Sequence, residues 1–199
     1  MPASPLLVGL DIGTTSIKAI IFDTQGQTVA QASLRTPTHY PRPGWAYFEP
    51  EELWQTTVQA LRTAVAQVEQ PNRITGIGVA SFAETGVPLD EHGTAASGEA
   101  IAWFDNRTGP QADWLAQQIE PERLFAITGI SLQPIFGLFK LLWLRDNQPE
   151  VFARTQLWLN MADYITYRLS GIPATDFSLA SRMMGLDLHN LRWSEEILN

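Results

Sequence analysis

The sequence predicts a mixed α/β domain, and three patterns in the 199-residue chain support that prediction. First, two apolar runs, Leu6–Ile12 and Ser16–Phe22, flank a tight Gly-Thr-Thr turn, and an alternating segment at 28–34 completes an antiparallel meander. Second, a helical pattern follows the meander. Third, a short apolar strand at 73–81 comes directly after that helix, which favours a parallel addition to the same sheet. We therefore expect a mixed five-stranded sheet with flanking helices.

Local signals place the remaining elements along the chain. Pro50 suits the first turn of a helix, and acidic residues surround it near the positive helix end. Apolar residues then recur at helical spacing to about residue 69. Beyond the strand at 73–81, the patterns predict strands at 99–104 and 156–160 and helices at 109–119, 137–146 and 162–169. No repeat, low-complexity tract or linker divides the sequence, so we expect a single domain over residues 1–199.

Composition and charge exclude several classes of protein. The net charge is −8, and Lys18 and Lys140 are the only lysines, so no basic surface for nucleic acid or an anionic membrane is expected. The chain contains no cysteine, which excludes disulfides, thiolate zinc sites and cysteine nucleophiles. No apolar stretch approaches the roughly 18 residues of a membrane helix, and the start of the chain lacks the basic region of a signal peptide. These features predict a soluble, cytoplasmic protein.

The turn between the first two strands carries a candidate phosphate and metal site. Asp11 ends the first apolar run, and Gly13, Thr14 and Thr15 follow it. A tight glycine turn directs backbone N–H groups to one point and forms an anion cradle, to which the threonine hydroxyls add donors. Asp11 beside the cradle suits Mg²⁺, which prefers oxygen ligands and commonly bridges a carboxylate and nucleotide phosphates. The alternative is an ordinary hairpin whose Asp and Thr side chains satisfy their own turn.

Two later segments carry candidate substrate-binding residues. Glu84 lies on a loop at the carboxyl end of the strand at 73–81, where α/β sheets bind ligands, and its carboxylate can accept from vicinal hydroxyls. Trp103 offers an indole face for packing against a ligand and an N–H donor to a hydroxyl. Asp105 is a second acceptor for the substrate, and Arg107 either joins it there or pairs with it in a structural role. The alternatives are a solvated loop acid for Glu84 and a core or interface residue for Trp103.

The two lysines and the three histidines receive smaller roles. Lys18 alternates with apolar positions on the second strand, where it either helps to neutralise phosphate or covers the sheet surface. Lys140 lies in a helix rich in Leu and Trp, and a helix-surface position is predicted for it. His39, His92 and His189 are isolated along the chain without the spacing of metal ligands, so no chemistry is assigned to them.

Several segments of the chain together resemble one family. Residues 9–23, GLDIGTTSIKAIIFD, are similar to the first phosphate motif of the actin-like ATPase superfamily. The other segments are PGWAYFEPEELW (43–54), GIGVASFAETGVPLDEHG (76–93), AIAWFDNRT (100–108), TGISLQPIFGLFKLLWLRDNQPEVF (128–152) and LNMADYITYRLSGIPATDFSLASRM (159–183). Within that superfamily they resemble the FGGY-type carbohydrate kinases, such as the xylulose, gluconate, ribulose and glycerol kinases.

The resemblance implies a sugar or polyol kinase that uses ATP and Mg²⁺ and contains two ribonuclease-H-like domains. Residues 1–199 would be the first domain, which binds substrate and phosphate, and the C-terminal domain would be absent from this chain. In the family, the general base is an Asp that opens the second domain, and most of the adenosine pocket is there too. No catalytic base is therefore expected up to Asn199, and the chain alone is expected to be inactive. Glycerol kinases carry an Arg immediately before the Glu that matches Glu84, so Ala83 argues against glycerol as the substrate.

The expected partners are a small sugar or polyol and the chain's own C-terminal domain, with no nucleic acid and no membrane. Self-association through an apolar face left without that domain is an open alternative. A non-catalytic nucleotide-binding module of the actin-like superfamily is the principal alternative function, since it needs the hairpin but no sugar loop. A ribonuclease-H-type nuclease also places an Asp on its first strand, but the charge of −8 and the Thr-Thr cradle point away from it.

Overall fold

The structure is a computed structural model that describes residues 4–199. Its strands are β1 (Leu6–Ile12), β2 (Ser16–Phe22), β3 (Thr28–Arg35), β4 (Tyr47–Phe48), β5 (Ile74–Ser81), β6 (Gly86–Leu89), β7 (Ala100–Ile101), β8 (Leu157–Asn160), β9 (Leu186–Asp187) and β10 (Arg192–Trp193). Its helices are α1 (Pro50–Val65), α2 (Gly109–Gln118), α3 (Pro121–Thr128), α4 (Gly137–Asn147), α5 (Pro149–Arg154), α6 (Met161–Ser170), α7 (Phe177–Ser181) and α8 (Glu195–Leu198). Among these described helices, none is long and apolar enough to cross a membrane.

A mixed sheet in the order β3-β2-β1-β5 forms the centre of the molecule. β1, β2 and β3 are antiparallel neighbours, and β5 lies parallel to β1, as the sequence predicts. Side chains alternate along β1, so that Leu6, Val8, Leu10 and Ile12 are buried and pack in one core with Leu53 of α1. Because of this alternation, Asp11 lies on the exposed face of β1.

The mixed sheet is confirmed, but it contains four strands rather than five in the part of the chain that the structure describes. The segment predicted as a strand at 99–104 contributes only β7, which pairs with β4 in a separate antiparallel pair. The chain turns directly after β7, because the Asp105 N–H donates to the Ala102 carbonyl at 3.1 Å. The Asp105 carboxylate also accepts from the Ala46 N–H at 2.6 Å. These bonds prevent the strand from continuing to Phe104.

A second core lies under α2, α3 and α4 and is built around Leu124 and Phe139. β6 follows the loop after β5 and forms an antiparallel pair with β8, which lies much later in the chain. The predicted helices at 109–119, 137–146 and 162–169 correspond to α2, α4 and α6. The patterns do not predict α3, α5 or β6, although Pro121 and Pro149 occupy the first positions of the two helices, where proline is favoured.

Candidate functional site

The carboxyl ends of β1 and β5 meet at one edge of the sheet, because the two strands run parallel. Their register pairs Asp11 with Ala80 and Ile12 with Ser81. Just beyond β5, the Phe82 N–H donates to the Ile12 carbonyl at 3.1 Å. The hairpin after β1 and the loop after β5 therefore begin side by side, at the kind of sheet edge where α/β proteins bind ligands.

Backbone hydrogen bonds fix the hairpin between β1 and β2. The Gly13 N–H donates to the Ser16 carbonyl at 3.1 Å. Thr36 holds the turn from outside: its Oγ1 donates to the Gly13 carbonyl at 2.6 Å and its N–H to the Thr15 carbonyl at 3.0 Å. A Cβ atom at Gly13 would lie 2.8 Å from the Ser16 carbonyl oxygen, so the turn requires glycine. The N–H groups of Thr14 and Thr15 have no acceptor among residues 4–199 and can bind an anion.

Asp11 and Lys18 are direct cross-strand partners in β1 and β2, so their side chains project from the same face of the sheet. Both are exposed, as alternation predicts for Lys18. Asp11 Oδ2 would lie 3.9 Å from a Cβ atom at Gly13, which places the carboxylate beside the hairpin. An exposed carboxylate next to unused N–H donors fits a Mg²⁺ ion held between protein and phosphate oxygens.

Glu84 occupies a strained backbone conformation in the loop after β5. Its φ is 58°, in the left-handed region that residues other than glycine rarely adopt. The residue is only 8% exposed, and its carboxylate forms an ion pair with Arg182, just after α7. The Arg182 guanidinium also lies over the Phe136 ring, 4.8 Å from the ring centroid. Strained residues persist only where surrounding contacts hold them, and Arg182 provides that contact for Glu84.

Arg182 is the site residue that the sequence patterns do not reveal. It stands 98 residues from Glu84, and no local spacing predicts the pair. The only signal is its place in the segment SLASRM, within one of the blocks that carry the family resemblance. Both guanidinium nitrogens that bind Glu84 contact Oε1, so Oε2 is left for another donor.

Trp103 connects the predicted substrate residues to the hairpin. Its indole Nε1–H donates to Thr14 Oγ1 at 3.1 Å, although the two residues are 89 positions apart in the chain. Its ring meets the Phe104 ring edge-on, with centroids 5.4 Å apart. Because Trp103 is still 37% exposed, it keeps free surface beside the hairpin.

Asp105 and Arg107 form a closed ion pair inside the protein, with no exposed surface on either side chain. Arg107 Nη2 lies 2.9 Å from Asp105 Oδ2, and the same carboxylate accepts from the Ala46 N–H at 2.6 Å. The guanidinium also donates to Glu99 at 2.9 Å and stacks over the Trp45 ring, 3.9 Å from its centroid. This arrangement corresponds to the structural role that the sequence leaves open for Arg107.

The helix-surface position predicted for Lys140 is wrong, because its side chain is completely buried. Its Nζ donates to the Ile135 carbonyl in the loop before α4. Burial lowers the pKa of Lys140 to about 7, against the opposing attraction of Glu84 and Asp105. Glu84 and Asp105, one from each predicted substrate segment, are therefore the two carboxylates whose charge favours the protonated form of this buried lysine.

The fold and this edge define a class of protein: an α/β domain in which a glycine hairpin with unused N–H donors lies beside two loops, one with a carboxylate and one with an indole. The family model described as the FGGY family of carbohydrate kinases, N-terminal domain, matches residues 6–199. The chain belongs to the FGGY family of carbohydrate kinases.

Similar proteins agree with this assignment. Glycerol kinases of Thermococcus onnurineus and Trichormus variabilis are each 34% identical to the chain and match 96% and 98% of it. The crystal structure of gluconate kinase from Lactobacillus acidophilus is 26% identical, with a TM-score of 0.90 over 98% of this chain and 39% of that chain. The xylulose kinase structure from Rhodospirillum rubrum is 29% identical, with a TM-score of 0.90 over 97% of this chain and 40% of that chain. These two solved structures confirm the actin-like, ribonuclease-H-like fold that the sequence resemblance implies. The chain spans 40% of the length of the curated relatives it matches.

Proposed function

We propose that residues 1–199 are the N-terminal substrate- and phosphate-binding domain of an ATP-dependent sugar or polyol kinase. The whole enzyme would transfer the γ-phosphoryl group of ATP to a carbohydrate hydroxyl. The observation that carries this proposal is the hydrogen bond from Trp103 to Thr14, since it joins the expected sugar side to the expected phosphate side. Membership of the carbohydrate kinase family supports the same reaction.

In this proposal, the hairpin binds the phosphates of ATP. Gly13 permits the tight turn, and Thr14 and Thr15 supply N–H and hydroxyl donors. Lys18 adds positive charge on the same face, and Asp11 would hold Mg²⁺. The metal, when bound, neutralises phosphate charge and orients the oxygens of the transferred group.

The neighbouring loops hold the acceptor sugar. Glu84 accepts from substrate hydroxyls through Oε2, and Trp103 packs against the C–H face of the ring. Asp105 and Arg107 act by fixing the turn that carries Trp103, because their own side chains are enclosed. Chemistry of this kind depends on positioning and charge stabilisation more than on covalent work by the protein.

The general base and the adenine pocket would come from a C-terminal domain, as the family resemblance implies. Closure of two domains over the substrates would exclude water and so prevent wasteful hydrolysis of ATP. A cytoplasmic location remains a prediction of this assignment.

The test is an ADP-release assay on the intact protein as its gene encodes it, with MgATP and a panel of pentuloses, aldonates and polyols. We expect ADP release that depends on one of these acceptors, with glycerol a poor substrate because Ala83 lacks a guanidinium. Thr14→Val is the matched variant, since it keeps the shape of the side chain but loses the hydroxyl that Trp103 binds. If MgATP raises the thermal midpoint but no acceptor supports turnover, the non-catalytic nucleotide-binding module replaces the kinase.

A further inference from the structure

We propose that His39, Glu49 and Glu52 form a binding site for a divalent transition-metal ion such as Zn²⁺, separate from the Mg²⁺ position expected at Asp11. A ring nitrogen of the histidine and one carboxylate oxygen from each glutamate all lie within 4.8 Å of one another. The sequence gives no sign of this cluster, because the histidine comes from a loop and the glutamates from the start of α1. The inference does not depend on the proposed kinase function.

The imidazole of His39 is held in a fixed orientation. Its backbone exchanges two hydrogen bonds with Tyr47, from the His39 N–H at 2.9 Å and from the Tyr47 N–H at 3.0 Å. Its ring stacks on the Tyr47 ring, with centroids 5.0 Å apart and an angle of 17° between the planes. In this orientation, Nε2 lies 2.6 Å from Glu52 Oε2. One ligand of the site is therefore ordered before any metal binds.

The two glutamates bring negative charge that the described chain does not neutralise. Glu49 is the residue before α1 and has no side-chain hydrogen bond or ion pair among residues 4–199. Glu52 lies one turn further, and His39 is the side chain that contacts it. Arg168 is engaged by Glu51 at 2.8 Å, and Arg35, which lines a cleft with His39 and Glu52, forms no ion pair with Glu49 or Glu52 among residues 4–199. Two neighbouring carboxylates without a fixed cation favour the binding of a dication.

The donor set indicates which metals the site would prefer. One imidazole nitrogen and two carboxylate oxygens suit Zn²⁺ and related transition ions, whereas Mg²⁺ prefers oxygen ligands alone. A tetrahedral zinc ion holds its ligands about 2.1 Å from the metal and so roughly 3.4 Å from one another. His39 Nε2 and Glu52 Oε2, now 2.6 Å apart, would have to separate to reach that spacing, and both glutamates are exposed and so have room to move.

The cluster also borders the proposed phosphate site. His39 and Glu52 line a cleft of about 590 Å³ together with Thr14 and Thr15 of the hairpin. Three protein ligands leave a fourth position for water or another oxygen, as in zinc sites with an open position. The cleft gives the ion an entry path beside the hairpin.

The test is a calorimetric titration of Zn²⁺ alone into the intact, chelator-treated protein without nucleotide. We expect one strong equivalent, and a Co²⁺-loaded sample with the visible absorption of a four-coordinate site. His39→Asn and Glu52→Gln each remove a proposed ligand and should weaken binding at least about a hundredfold, since loss of even an outer-shell partner costs roughly 10- to 100-fold. His92→Asn is the matched control, because His92 is an exposed histidine that also lies beside a glutamate, 3.6 Å from Glu91.

The outcomes separate this site from surface binding and from the phosphate site. No measurable Zn²⁺ binding, unchanged affinity in His39→Asn, or equal losses in His39→Asn and His92→Asn would each overturn the proposal. Asp11→Asn should keep full Zn²⁺ affinity, since Asp11 belongs to the other site. An absence of sugar kinase activity would reject the proposed function and leave this result unaffected.

Discussion

At the scale of single residues, Glu84 combines properties that seldom occur together in a structural acid. Its backbone is left-handed, its side chain is almost fully buried, and its ion pair with Arg182 uses one oxygen only. A carboxylate held this firmly, with an oxygen to spare, is well placed to recognise hydroxyl groups. The sequence predicts the position of Glu84 at a strand end but not the arginine that orients it.

We expect Glu84→Ala to raise the KM of the intact protein for its sugar roughly ten- to a hundredfold, with a smaller effect on kcat. The reason is that a hydrogen bond to a charged group contributes about 1.5–3 kcal/mol. Steady-state kinetics at saturating MgATP measures both constants. Arg182→Lys serves as the control, because it keeps a cation near Glu84 but loses the guanidinium that binds Oε1 through two nitrogens. A large fall in kcat at unchanged KM would contradict the assigned role.

Asp11→Ala tests the metal position at the hairpin. We expect kcat to fall by at least about a hundredfold, since charge stabilisation of the transferred phosphoryl group is lost, while the sugar KM changes little. Lys18→Ala, on the same face of the sheet, should have a milder effect. Turnover is measured over a range of Mg²⁺ concentrations, and an Asp11→Ala enzyme with normal turnover would remove Asp11 from the site.

Lys140→Met tests the buried lysine. The pKa of Lys140 is about 7 in the folded protein against an ordinary 10.5, so between these pH values the unfolded chain binds a proton that the folded protein does not. The unfolding free energy of the natural protein should therefore rise with pH across this window, by up to about 1.4 kcal/mol per pH unit.

Lys140→Met should abolish that rise and be more stable than the natural protein at pH 7, where most of the cost of the lowered pKa is already present. Urea unfolding at pH 7 and pH 9 gives the two free energies. Lys18→Met is the matched control, because it removes an exposed lysine and should keep the pH dependence. An unchanged slope in Lys140→Met would show that another group titrates.

At the scale of secondary structure, the sequence predicts best where one local pattern decides the outcome. β1 and β2 agree with the prediction residue for residue, because strict alternation on both sides of a glycine turn leaves a single register. The predicted strand at 99–104 fails after Ile101, because the Asp105 carboxylate just beyond it is held by the Ala46 N–H, 59 residues earlier in the chain. Such contacts between distant segments leave no periodic trace in the sequence.

Asp105→Ala tests this turn as a structural unit. It would leave the Arg107 guanidinium buried without its main partner, and loss of one member of a buried ion pair costs about 3–5 kcal/mol. We expect a loss of that order in urea unfolding. Glu99→Ala is the control, since Glu99 binds the same arginine from a partly exposed position and should cost much less. Equal losses in the two variants would argue against a turn held by Asp105.

At the scale of the whole molecule, the sequence locates both halves of the candidate site but not the contact between them. Asp11, Gly13, Thr14 and Thr15 are visible as a turn motif, and Trp103 as an aromatic residue near a strand end. Their meeting depends on the path of the chain after β4 and β7, which local patterns do not fix. The same limit explains why the local pattern predicts a surface position for Lys140, whose side chain is in fact buried.

The last prediction concerns the chain as a unit. Residues 1–199 alone are expected to show no sugar-dependent ADP release, because they would contain the proposed phosphate hairpin and sugar loops, whereas the general base is expected from a C-terminal domain. The chain should still bind MgATP weakly through the hairpin, and Gly13→Ala should weaken that binding, since its Cβ would meet the Ser16 carbonyl at 2.8 Å. A coupled ADP assay beside a thermal-shift titration makes both measurements, with the intact protein as the positive control. Sugar-dependent turnover by a clean preparation of the short chain would show that a base lies within residues 1–199 and would redirect the search to Glu84 and Asp11.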